Sequence, residues 1–332
     1  MRAPKLILPL DYLEQATDAI NHAKNRVFLI GLTIFRGEFT TELIDALAAA
    51  ARRGVKVHVA ADFATYTTAM KSVKDIPLTY RNRSARALTN LGKDLTESGA
   101  KFTWLGRQYG YLFMSRTHSK WLVVDNNVFS FGGVNIDNDW SFRNHIDYTF
   151  YMKDKKLADL LVKEHLAVER ANKRGSTSRN HMAKIDIGKV LFDGGKFGGS
   201  IIYNEVVRLA HQAEEILLVS QYCPTGKLSK ILTQKPSRVY FNQLENVDSK
   251  FNRAIIRLGK RSKRERNLYG RPKYLHAKFA IFTMPDGSKK AITGSHNFVA
   301  ASSILGTREV ALETDDKKII AQLEKFFHDF VE

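Results

Sequence analysis

The sequence predicts a layered α/β sandwich made of two copies of one unit. Helix-like and strand-like segments alternate in the same order in each half of the chain, the pattern of sheets covered by helices. A stretch with a histidine and a lysine two apart, an apolar run, a turn, a second strand, a glycine turn and an asparagine occurs twice, within residues 117–135 and 274–298. The 332 residues suit about two domains on the usual prior of roughly 100 to 200 residues each.

In chain order, the apolar spacing predicts a helix over 13–23, a strand over 26–34, an alanine-rich helix over 41–53 and a strand in "GVKVHVAADF",. His118 and Lys120 then share one face of an extended segment, because side chains in a strand repeat with period two. Trp121 to Val124 are unbroken apolar residues, as in a strand buried on both faces,. Asp125, Asn126 and Asn127 supply a turn and Val128 to Phe131 return. Gly132 and Gly133 let the backbone bend and approach a ligand closely, which brings Asn135 toward the pair.

From Ser200 the order recurs: a helix through His211, a strand in "EILLVSQY", a short helix over 227–232 and a strand in "SRVYFN". His276 and Lys278, another apolar strand, a turn, a returning strand and Gly294, Ser295 and Asn297 complete the second copy. Residues 173–199, rich in Gly, Ser, Lys and Arg, read as a linker with Gly194, Gly195, Gly198 and Gly199 at its flexible end,. That glycine cluster lacks the lysine and Ser/Thr of a phosphate-binding P-loop and a preceding strand. The expected division is residues 1–172, a linker at 173–199, and residues 200–332.

A net charge of +18 implies a polyanionic partner, nucleic acid or an anionic membrane surface. The run Arg253 to Lys273 holds nine Lys or Arg against one acid, Glu265, and leads into His276; it reads as an anion-collecting segment. The longest apolar stretch, Val27 to Phe35, is far short of the ~20 residues that cross a bilayer. The opening "MRAPKLILPL" has neither the apolar region nor the cleavage site of a signal peptide,. One cysteine, Cys223, excludes an internal disulfide framework,. A cytoplasmic protein, peripheral to the membrane, is the expectation.

The paired His-x-Lys motifs resemble those of the phospholipase D superfamily, whose pattern is HxK, four residues, Asp, then a turn and GG or GS with a following Asn. The first copy matches at His118, Lys120, Asp125, Gly132, Gly133 and Asn135. The second matches at His276, Lys278, Gly294, Ser295 and Asn297, with Thr283 in place of the acid. "GGVN", "SFRNHIDYTF", "AAARRGVKV" and "GTREVAL" are most similar to bacterial cardiolipin synthases and related phosphatidyltransferases. The resemblance implies two α/β/α sandwich halves related by a pseudo-twofold, with the active site at their interface, and Asp125 as a turn stabiliser.

A phosphodiester is anionic and poorly electrophilic, so its cleavage needs charge neutralisation, a nucleophile and a proton for the leaving alkoxide. By the resemblance His118 attacks phosphorus to give a phosphohistidine and His276 serves as general acid and base, an assignment the duplication leaves reversible. Lys120, Lys278, Asn135 and Asn297 would hold the phosphoryl oxygens, with no metal or other cofactor required. An imidazole nucleophile needs its second nitrogen oriented; Asp147, 29 residues after His118, and Glu309, 33 after His276, lie in strand-like segments downstream of their motifs. The remaining histidines read as structural or surface residues.

The segment "RQYGYLFMSR" before His118 suits an interfacial loop dipping into a bilayer between arginines, or equally a core strand,. The favoured substrate is therefore a phospholipid, its phosphatidyl group passing to an alcohol or to water, with an anionic membrane surface as partner. The alternative is a nuclease acting on DNA or RNA. A binding module with a dead site is the third reading, and the complete His, Lys and Asn sets argue against it.

Overall fold

The computed structural model describes residues 4–63, 83–106, 116–137, 139–246, 253, 256 and 267–332. The first half runs β1 (Lys5–Ile7), α1 (Pro9–Asn21), β2 (Arg26–Gly31), α2 (Thr41–Arg52), β3 (Lys56–Asp62), α3 (Arg83–Glu97), β4 (Lys101–Leu105), β5 (Trp121–Val124), β6 (Asn127–Ser130), α4 (Asp139–Asn144), β7 (His145–Ile146), β8 (Thr149–Lys153) and α5 (Lys155–Lys173). The second runs β9 (His181–Ile185), β10 (Gly188–Gly194), α6 (Ile201–Gln212), β11 (Glu215–Val219), α7 (Lys227–Leu232), β12 (Ser237–Tyr240), β13 (Tyr274–Leu275), β14 (Phe279–Thr283), β15 (Lys289–Gly294), α8 (Ala300–Leu305), β16 (Arg308–Thr314) and α9 (Lys317–Phe326).

Two seven-stranded mixed sheets result, in the orders β1-β8-β6-β5-β2-β3-β4 and β12-β11-β14-β15-β16-β10-β9. The series β1-α1-β2-α2-β3 of the first half returns as β10-α6-β11-α7-β12, and the hairpin β5-β6 with β8 returns as β14-β15 with β16. In each copy the hairpin lies antiparallel to the second strand of the unit, β2 or β11. The duplication read from the motifs thus extends through six strands of each sheet, with β4 and β9 lacking a counterpart among the described residues.

The segment 173–199 is more than a linker. Its "GKVLFDG" is β10, the opening strand of the second unit, bonded antiparallel to β16 and β9. Its glycines serve close approach: a Cβ at Gly188 would stand 2.1 Å from the Glu313 carbonyl oxygen, and one at Gly194 2.1 Å from that of Ser178,. A strand therefore does precede the Gly194 cluster, contrary to the sequence expectation. Helix α1 also begins earlier than position 13, because Pro9 opens its first turn, where a missing N–H costs nothing,. Helices α5, α6 and α9 start at side-chain caps: Asp154 accepts from the Leu157 N–H, Ser200 from Tyr203, and Asp316 from Lys318 and Ile319,.

Alternating strand residues feed two cores. Trp121 and Val123 of β5 join an inner cluster with Phe28, Phe150, Phe279 and Leu312, filled by α5 (Leu157, Leu161) and α9 (Ile319, Leu323, Phe326). Leu122 and Val124 face outward into a cluster closed by α1 and α2; Leu218, Ala280 and Ile292 do the same under α6 and α7. The layers are helix, sheet, shared helices, sheet, helix. Burial on both sheet faces explains the continuous apolar runs. Across the interface the Tyr148 and Thr293 hydroxyls lie 2.6 Å apart, and Thr293 donates to the Phe131 carbonyl at 2.7 Å.

Most of the basic run at 253–273, and the aromatic segment 107–115, lie outside the described residues. Among those described, no helix is long and apolar enough to cross a membrane.

Candidate active site

Each His-x-Lys segment is pinned to the opposite half. The N–H groups of His118 and Ser119 both donate to the Arg308 carbonyl, at 2.8 and 2.9 Å. Symmetrically, β13 pairs in parallel with β7, and the N–H groups of His276 and Ala277 donate to the Ile146 carbonyl, at 2.9 and 3.0 Å. The residue before each histidine is tied to its own half. Asp62, ending β3, accepts from the Thr117 N–H at 2.6 Å and pairs with Arg116 at 3.1 Å. Asn242, just past β12, exchanges two 2.7 Å hydrogen bonds with the Leu275 backbone.

The two anchoring carbonyls immediately precede Glu309 and Asp147, so the acids reach across. Asp147, downstream of the first motif, places Oδ2 2.5 Å from Nδ1 of His276. Glu309, downstream of the second, places Oε1 3.2 Å from Nδ1 of His118. The pairing is crossed between the copies. It leaves Nε2 of each ring as the nitrogen available to substrate. The half-sites differ in openness: the His118 side chain is 28% exposed and that of His276 11%.

The glycine turns hold those acids. The Gly133 and Tyr148 N–H groups donate to Asp147 Oδ1 at 3.2 and 2.8 Å. In the second copy the Ser295 hydroxyl donates to Glu309 Oε2 at 2.5 Å. Gly132 and Gly294 pass under the neighbouring strand so tightly that a Cβ would stand 1.9 Å from the Tyr148 carbonyl oxygen or 2.3 Å from that of Val310. Asp125, at φ 52°, accepts from the N–H groups of Lys24, Asn25 and Arg26 and so fixes the hairpin to the loop before β2. Thr283 replaces it by main chain alone, its carbonyl accepting from the Glu214 N–H at 2.8 Å.

Lys120 Nζ donates to the His118 carbonyl at 2.8 Å, and Lys278 Nζ donates to that of His276. Burial lowers the pKa of both lysines, opposed for each by Asp147 and Glu309. Burial, then Lys278, Lys120 and His118, hold His276 well below the usual histidine range. Burial raises Asp147, so the buried Asp147–His276 pair favours its neutral form. Burial also pushes Glu309 up, but the His118 imidazole, His296 and Lys120 outweigh it and bring the carboxyl to about 2. The side-chain oxygens of Asn135 and Asn297 are buried with no hydrogen-bond partner among the described residues. Asn135 lines small cavities beside both Lys120 and His276.

Sequence reasoning passed over two histidines that the fold brings here. The His145 ring stacks 5.3 Å from His276, centroid to centroid, and burial first pushes its pKa down to about 3. His296 accepts from the Phe298 N–H at 2.9 Å, and burial first brings it to about 4. Their positions were the available signal: His145 stands two residues before Asp147, and His296 lies between Ser295 and Asn297.

Residues 16–167 match the family described as the cardiolipin synthase, phospholipase D-like domain. Among solved structures, the phosphatidylserine synthase of Haemophilus influenzae Rd KW20 is similar at 13% identity and a TM-score of 0.70, over 99% of this chain and 86% of that one. A polyphosphate kinase from Porphyromonas gingivalis is similar at 13% identity and a TM-score of 0.63, over 98% of this chain; the chain spans about half, 49%, of that kinase. These likenesses concern the fold. No curated protein matches the chain significantly. Two copies of one sandwich, with a His-Lys-Asn set in each, meet at this interface. The first copy of the unit, over residues 16–167, is therefore similar to the cardiolipin synthase, phospholipase D-like family, and the second copy repeats its strand order.

Proposed function

We propose that the chain cleaves a phospholipid phosphodiester through a covalent phosphohistidine and passes the phosphatidyl group to an alcohol or to water. The crossed pairs His118–Glu309 and His276–Asp147 carry this reading, because they give one interface two oriented imidazoles. His118, the more open ring, attacks phosphorus with Nε2 while the leaving alkoxide takes a proton from His276. His276 then removes the proton of the incoming hydroxyl, whose oxygen displaces His118 from phosphorus. An anionic phosphodiester between Lys120 and Lys278 opposes the two lysine charges that depress His276 and so raises its affinity for the proton it donates. Lys120, Lys278, Asn135 and Asn297 receive the non-bridging oxygens.

A lipid substrate is supported by the cardiolipin synthase description of the matching family, by the similarity to a phosphatidylserine synthase, and by exposed apolar side chains. Ile304 is 66% exposed on α8, which begins three residues after Asn297, with Leu305 beside it. Phe197 is also exposed, next to Lys196, whose backbone packs against Gly306. With a charge of +18, these suit a peripheral face on an anionic membrane. The alternative, which the same charge also favours, is cleavage of DNA or RNA by the same residues.

The test incubates purified protein with phosphatidylglycerol liposomes without added metal, and in parallel with single- and double-stranded DNA and RNA. Phosphatidic acid, cardiolipin or another exchanged phospholipid is expected, lost in His118→Ala together with any acid-labile phosphoenzyme. Nucleic-acid cleavage with inert liposomes overturns the lipid assignment, and full activity of His118→Ala overturns the mechanism.

A further inference from the structure

Between β3, β4 and α5, apart from the catalytic histidines, lies a second cluster of metal-binding donors. His58 comes from β3; His165 and Glu169 are four apart on α5 and so share one helix face,. One donor atom from each lies within 4.8 Å of the others. His58 Nδ1 is 3.3 Å from Glu169 Oε2, and His165 Nε2 is 3.7 Å from Glu169 Oε1. Ligands about 2.0 to 2.1 Å from a tetrahedral zinc stand about 3.3 Å from one another. The two histidine-to-carboxylate separations come near that spacing, and all three donors lie within 4.8 Å, so a modest closing of the cluster would bring them onto one ion.

An independent observation points the same way. His165 is completely buried, and neither ring nitrogen reaches a partner within hydrogen-bond distance among the described residues, Nε2 stopping 3.7 Å short of Glu169 Oε1 and Nδ1 facing none; such under-satisfied buried nitrogens cost free energy unless something binds there. Aromatic rings wall the cluster: Phe28 stacks on His58 at 4.5 Å and Trp121 meets His165 edge-on at 6.3 Å. Two imidazoles and one carboxylate in a dry setting suit zinc and its neighbours, whereas calcium and magnesium take oxygen donors and keep water. Thr103 orients the carboxylate by donating to Glu169 Oε1 at 3.2 Å,.

We propose that His58, His165 and Glu169 form a zinc-class metal site that fastens α5 to β3. Lys101 is its gate. In the metal-free arrangement its ammonium lies 2.6 Å from Glu169 Oε2, and its side chain is 54% exposed. An entering dication displaces it toward solvent, and the exposed side chain marks the entry path. The site is separate from the phosphodiester chemistry and stands or falls independently of it.

The test strips purified protein with a chelator, adds zinc, and measures bound metal by mass spectrometry and affinity by competition with a chromophoric chelator. One zinc per chain is expected, retained in His118→Ala/His276→Ala and lost in His165→Phe. Lys101→Met, which removes the competing cation, binds about tenfold more tightly, equivalent to about 1.4 kcal/mol. The zinc-dependent rise in Tm, measured on wild type and Lys101→Met alone, gives the same ordering should His165→Phe fail to fold. No bound zinc in wild type and Lys101→Met, or full stoichiometry in folded His165→Phe, overturns the proposal.

Discussion

Glu309→Gln removes one charge from the interface while keeping the side chain's length. Against an ordinary value of 4.5, the Glu309 carboxyl is held at about 2 despite complete burial, chiefly by the His118 imidazole. At 1.36 kcal/mol per unit, that difference is on the order of 3 kcal/mol in favour of the ionised carboxylate. An attacking imidazole becomes cationic as its nitrogen bonds to phosphorus, so the pair is stabilised most in the transition state. Losing all of it would slow turnover by about a hundredfold; the partial exposure of His118, 28%, makes tenfold the lower bound. The assay is the initial rate on a phosphodiester substrate, with circular dichroism to verify folding. Because a positioning role acts through His118, the pH–rate profile must also move when the anion beside it is removed. A folded variant within threefold of the wild-type rate, with an unmoved profile, refutes the crossed-pair reasoning.

Two further outcomes follow from the turns. Gly133→Ala puts a Cβ 2.6 Å from Asp147 Oδ1 and 2.7 Å from the His276 carbonyl oxygen, so it is expected to cost about 1 to 3 kcal/mol in urea unfolding and to lower activity by displacing the Asp147–His276 pair. Asp125→Ala removes the carboxylate that accepts from three N–H groups, in the β5–β6 turn; chemical denaturation should show a loss of about 1 to 2 kcal/mol with kcat retained at low temperature. Burial raises the Asp125 carboxyl, but the N–H groups of Lys24, Arg26 and Asn25 bring it below 3.8. Its contribution is present above that value and lost as pH falls through the lower folded pKa, so wild type and Asp125→Ala should converge in stability in acid.

The sequence alone carried the duplication, the alternation of helices and strands, and the candidate His, Lys, Asn and acid residues that the fold brings to one interface. Those are local signals: His118 and Lys120 share a face because a strand repeats every two residues, and Trp121 to Val124 are continuously apolar because both sheet faces are covered. The opening strand of the second unit was hidden because glycines at 188 and 194, needed where backbones nearly touch, have the composition of a flexible linker. Which acid serves which histidine was not legible at all. It depends on Arg308 and Ile146 receiving the motif of the other copy, and sequence offsets count residues along one chain without recording which strand edge they meet. The same holds for His145 and His296 beside the paired histidines, and for His58 meeting His165 and Glu169 across more than a hundred residues. Periodicity fixes the direction of a side chain within its own element; only packing the two sheets around α5 and α9 decides what it faces.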